Sequence, residues 1–146
     1  MIDPRTHAIL EDIVRREGRS LLQYVADSFP WTATDEQGAL EQLRRMIEAE
    51  RQATTDLVRF LVRRKFTPPY LGAYPARFTT INFVSLEYLL PRLAQEQRRD
   101  IRALEDDLVE VHDVEVREQV KKLLELKRRH LQTLEQLAVA HSAAVA

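Results

Sequence analysis

The chain has no cysteine, and only 3 of its 146 residues are glycine. The first absence excludes disulfides, thiolate catalysis and iron–sulfur ligation. The second argues against a fold rich in tight turns. No apolar run approaches the roughly 20 residues needed to span a bilayer. The N-terminus, Met1-Ile2-Asp3-Pro4-Arg5, lacks the charged and apolar regions of a secretory signal. Net charge is −1, with both signs interspersed, so nothing in the balance draws the chain to nucleic acid or acidic lipid. These absences lead to the expectation of a cytoplasmic protein that binds neither nucleic acid nor membrane. No glycine-rich phosphate loop occurs, and Ser, His and Asp never fall at a spacing that suggests a nucleophilic triad.

What is present is helical periodicity. Leu40, Leu43, Met46, Ile47, Glu50, Ala53, Leu57 and Phe60 recur at steps of three and four, the repeat of one helix face. Glu50 falls on that apolar face, where a carboxylate must find a partner, bind a metal or take up a proton. Three further amphipathic stretches complete the reading. The first starts at Asp3-Pro4 (a side-chain acceptor followed by proline at the first helical position) and ends at Pro30. Trp31 is expected to cap the core just beyond it. The second, opened by the capping box Thr34-Asp35-Glu36-Gln37, runs to about Lys65. The third starts near Ile81 and carries Leu86, Leu89, Leu90, Leu93, Ile101, Leu104 and Leu108; its stripe turns polar at Glu96, Gln97 and Asp100. The fourth starts after the N-cap Asp113 and carries Val116, Val120, Leu123, Lys127, His130, Leu134 and Leu137. Residues 141–146 are expected to fray.

Residues 66–80 contain three prolines and a glycine, which forbid a regular helix. At about 3.3 Å per residue such a segment reaches about 50 Å, enough to run beside a helix about 42 Å long. Phe66, Tyr70, Tyr74 and Phe78 are expected to pin it down. The next helix would then run parallel to the last. Short connections after the first and third helices and one long crossover after the second describe an all-α, four-helix bundle of the ferritin-like kind, in one domain covering residues 1–146. Level-matching brings four side chains together. Glu17 and Glu50 are equally distant from the first turn, and Glu96 and His130 from the last.

With these residues the chain resembles the rubrerythrin-like branch of the ferritin-like superfamily. Glu17 through Tyr24 is similar to the helix that carries one glutamate ligand and an aromatic. Glu50-Arg51-Gln52-Ala53 and Lys127-Arg128-Arg129-His130 stand where that family has Glu-x-x-His. The resemblance implies a metal site made of Glu17, Glu50, Glu96 and His130, with iron or manganese as cofactor, and pairing into a homodimer. The departures alter the implication: Ala53 stands in place of a histidine, and Lys127 brings a cation where a cation should bind. The leading reading is a vestigial di-metal site in a non-enzymatic binding or assembly module, with Lys127 as internal counter-ion and an unidentified protein partner. The alternative is a ferritin-like oxidoreductase or iron-handling protein using the remaining ligands. His7, His112 and His141 read as surface residues.

Overall fold

The computed structural model describes residues 2–27, 36–81 and 84–142. Among them the chain is all-α, without a β-strand. Helix α1 spans Pro4–Gly18, α2 Leu21–Tyr24, α3 Gln37–Arg63, α4 Leu86–Glu110 and α5 Val114–Ser142, with 3₁₀ turns at Val25–Asp27 and Ala76–Ile81. Pro30, Trp31 and the start of the expected capping box, Thr34-Asp35, lie outside the described residues. The N-cap of α3 is Glu36, which makes no side-chain capping bond.

Two boundaries differ from the sequence expectation. The first helix does not run unbroken to Pro30. It stops at Gly18 and restarts after Ser20, whose backbone is extended and whose Oγ accepts the Gln23 N–H at 3.3 Å. A seryl cap of this kind supplies one of the donors' missing acceptors at a helix start. Apolar periodicity passes through such a break unchanged, which is why it was hidden. The third helix starts at Leu86, capped by Ser85, and Ile81, where it was expected to begin, closes the 3₁₀ turn Ala76–Ile81. The expected N-cap Asp113 accepts from Val116 N at 3.0 Å, and α5 continues through His141 and Ser142.

The end of α3 is closed by backbone geometry. Lys65 sits at φ 73°, in the left-handed region. This lets Lys65 N reach Val62 O at 2.9 Å and Phe66 N reach Leu61 O at 3.0 Å, the paired bonds of a Schellman motif. Lysine pays a steric penalty in that conformation which glycine does not. Lys65→Gly is therefore expected to raise stability by about 1 kcal/mol. Urea unfolding checks this, and a loss of stability would show that the lysyl side chain contributes more than its backbone strain costs.

From there the chain travels back along α1. Phe66 stacks on His7 with ring centroids 3.9 Å apart, Arg15 Nε donates to Tyr70 O at 3.2 Å, and Tyr74 meets Tyr24 edge-on at 5.2 Å. Phe78 lies against the same Tyr24 at 5.7 Å. Leu71 occupies the space beside Gly18, where an added Cβ would come within 2.9 Å of its Cδ1. Tyr70 is not one of the anchors, since its residue is 87 % exposed and it is held by its carbonyl. His7 is half-buried rather than a surface residue, for its ring is covered by Phe66.

Packing closes a ring. Helix α1 borders α3 and α4, and α5 borders the same two. Ion pairs fix which ends meet. Arg5 pairs with Glu110 and Arg64 with Glu115, so the start of α1, the ends of α3 and α4 and the start of α5 share one end. Helices α3 and α4 thus run parallel, and α1 and α5 run against them. Arg117 Nη1 takes the Val111 carbonyl at 2.7 Å, which supplies a donor to the otherwise open turn after α4. The apolar core comes in two pieces, one built around Leu10, Leu61, Leu104 and Val120, the other around Leu21, Leu43, Leu89 and Leu134. A polar layer separates them.

Candidate functional site: a buried polar layer centred on Lys127

Each long helix contributes to this layer where its apolar stripe is interrupted. Glu17 stands on the last turn of α1, Glu50 midway along α3, Gln97 and Asp100 midway along α4, and Lys127 midway along α5. Lys127 is 0 % exposed. Its Nζ donates to Glu17 Oε1 at 2.6 Å, to Glu50 Oε1 at 3.0 Å and to Asp100 Oδ2 at 3.3 Å. Three donors meet three acceptors, the full capacity of an ammonium group. The second oxygen of Glu50 is also engaged. Gln97 Nε2 donates to Glu50 Oε2 at 2.7 Å and to the Lys127 carbonyl at 3.2 Å, and His130 Nδ1 lies 2.6 Å from Glu50 Oε2. Glu17 Oε2, by contrast, is buried and has no hydrogen-bond partner among the described residues.

The electrostatics divide the carboxylates. Burial alone would raise Glu50, but the Lys127 charge and the hydrogen bonds from His130 and Gln97 outweigh it and hold Glu50 down at about 2. Burial pushes Glu17 up to about 7, against the pull of Lys127 and helped by the negative charges of Asp100 and Glu50. Asp100 is raised for the same first reason, its burial. Lys127 is raised: burial opposes its charge, but Glu17, Glu50 and Asp100 together more than offset that. One ammonium faces three carboxylates, so full ionisation would leave excess negative charge in a dry interior. Holding a proton on Glu17 relieves it.

The four side chains expected to converge do not all do so. Glu17, Glu50 and His130 belong to the layer. Glu96 does not: it turns outward and pairs with Arg77 at 2.8 Å, its side chain 20 % exposed. Its place is taken by Asp100. The reason is level as well as helical phase. Leu93, Gln97, Asp100 and Leu104 follow one another at steps of four, three and four and are all buried, while Glu96 lies to one side of that line, about 100° of helix rotation from Gln97. Asp100 also lies about as far before the α4–α5 turn as Lys127 lies after it.

Comparison of the chain with protein-family models, with curated proteins and with solved structures gives no match.

The donor chemistry decides how the layer stands toward a metal. Divalent iron or manganese requires several carboxylate and imidazole donors turned to one point. Here one oxygen from each of Glu17, Glu50 and Asp100 is turned to an ammonium nitrogen that already occupies that point. Ala53, one turn beyond Glu50, provides no donor, and among the described residues no group of three His, Cys, Asp or Glu side chains is arranged to hold an ion. The residues do not fit a di-metal centre while Lys127 is charged.

Proposed function

We propose that the chain is a ferritin-like four-helix bundle, with the segment between α3 and α4 as its crossover, in which a lysine has taken the place of the metal. On this reading the protein catalyses no reaction at its centre and acts through its surface, as a binding or assembly module. The ring of four helices, the parallel run of α3 and α4 and the mid-bundle level of the polar layer support the bundle reading. One observation carries the functional reading: Lys127 Nζ, fully buried, within 3.3 Å of three carboxylate oxygens on three other helices. A buried cation so placed completes the charge of the site from within the chain. Among the described residues no helix is long and apolar enough to cross a membrane. A cytoplasmic homodimer is part of the same proposal, by likeness to how ferritin-like bundles pair.

The test is metal content and metal response. Protein purified without a polyhistidine tag is expected to hold no stoichiometric iron or manganese by elemental analysis. Its melting temperature is expected to stay put when Fe²⁺ or Mn²⁺ is added anaerobically, since a ligand that binds only the folded state must stabilise it. Stoichiometric metal, or a melting temperature that climbs with metal concentration, would overturn the proposal in favour of a metal-binding oxidoreductase using Glu17, Glu50 and His130.

A further inference from the structure

A cleft of about 270 Å³ opens between α1, α4 and the 3₁₀ turn, and its outer wall carries four arginines, Arg16, Arg19, Arg77 and Arg99. Two of them are neutralised. Arg16 pairs with Asp107 at 2.8 Å and Arg77 with Glu96 at 2.8 Å. The remaining carboxylate on the wall, Asp100, faces inward to Lys127. Arg19 and Arg99 are left. Arg19 is held in place by neutral carbonyls, Nε on Arg15 O at 3.2 Å and Nη1 on Ala73 O at 3.5 Å, which orient its guanidinium without cancelling its charge. Arg99 makes no hydrogen bond or ion pair among the described residues. Two further donors stand on the same wall. Ser20 Oγ accepts the Gln23 N–H, so its own hydrogen remains to be given. Arg16 Nε is buried and has no hydrogen-bond partner among the described residues.

We propose that this cleft binds a small phosphate-bearing anion. Two uncompensated guanidiniums on different elements match a dianion better than a single carboxylate, and the planar fork of arginine matches the oxygens of a phosphate. The volume lies just below the range of small-molecule sites and exceeds what a phosphate alone fills, so the ligand is a phosphate with a compact organic body. Arg19 and Arg99 bind the phosphate oxygens, and Ser20 donates to one of them. Glu96 and Asp100 also line the cleft but are already engaged by Arg77 and Lys127, so they shape it without adding net negative charge. The cleft meets the Lys127 layer only at Asp100, and the groups that would bind the anion, Arg19, Arg99 and Ser20, are not part of that layer.

The experiment is calorimetric titration with inorganic phosphate and with glycerol phosphate, in EDTA and at constant ionic strength. Wild type is expected to bind both, glycerol phosphate more tightly. Arg99→Ala, which removes an exposed and unpaired side chain, is expected to fold normally by circular dichroism and to lose affinity roughly tenfold or more. Lys122→Ala, which removes an exposed cation on the α3–α5 side, is expected to leave binding unchanged. Absence of binding at millimolar phosphate, or an equal loss in the Arg99 and Lys122 variants, would overturn the proposal by reducing the cleft to a solvated cationic surface.

Discussion

Lys127→Met is expected to destabilise the protein by about 3–5 kcal/mol at pH 7, the cost of breaking a buried ion pair by removing one partner. The methionine fills nearly the same volume, so the loss is electrostatic rather than a cavity effect. What it leaves behind is the problem: Glu17, Glu50 and Asp100, all buried, with no cation among them. These carboxyls would escape the penalty only by binding protons, so the deficit should shrink toward pH 5. A companion variant, Ala53→His with Lys127→Glu, replaces the ammonium by a fourth carboxylate and adds an imidazole one turn from Glu50. It is expected to be less stable still without metal and to recover with Fe²⁺ or Mn²⁺, while wild type does not respond. Urea unfolding of the three proteins, with and without metal, measures both effects. A Lys127→Met protein as stable as wild type at pH 7 would show that Lys127 is not the charge that holds the layer together.

How much of this was legible beforehand can be stated residue by residue. Periodicity was enough for the all-α class, for the N-cap at Asp113 and for the placement of Glu50 on an apolar face, because each depends only on neighbours in sequence. The break at Arg19 was not legible. Ser20 is a good cap in any helix, and the apolar spacing from Val14 to Leu21 is kept across the interruption. The choice of Glu96 over Asp100 had a different cause. Glu96 matches the level of His130, whereas Asp100, one helical turn further along α4, matches that of Lys127, and that turn decides whether a carboxylate meets Lys127 or Arg77. The apolar stripe does not separate the two, since Glu96 keeps a step of three from Leu93 and of four to Asp100. Gln97 could be seen on that stripe, but its bonds to Glu50 and to the Lys127 carbonyl depend on three helices at once, and no local pattern encodes them. The same limit applied to the arginine-lined cleft, whose walls come from segments some 80 residues apart in the chain.

The second large effect concerns protons. Glu17 is held at about 7 by burial and by the charges of Asp100 and Glu50, against an ordinary value of 4.5. The folded protein therefore keeps this proton between pH 4.5 and about 7, where the unfolded chain has lost it. Stability from this group is fully present below pH 4.5 and is lost as pH rises through about 7, a change of about 3 kcal/mol at roughly 1.4 kcal/mol per unit. Glu50 has the opposite sign. Its folded value of about 2 means that its contribution is present above 4.5 and is lost as pH falls toward 2. Two glutamates touching one lysine thus bend the stability curve from opposite sides. Glu17→Gln removes the titrating group while keeping its shape. It is expected to match wild type near pH 5 and to exceed it at pH 8 by up to about 3 kcal/mol, because the orphaned Oε2 no longer carries a buried charge. Glu50→Gln is expected to do the reverse, costing about 3 kcal/mol at pH 7 and progressively less below pH 4. Urea unfolding of wild type and both variants across this range reads the slopes directly. Parallel curves for wild type and Glu17→Gln between pH 5 and 8 would mean that Glu17 is ionised throughout. The layer would then carry its excess negative charge without a proton, and a further cation beside Lys127 would have to be found to balance it.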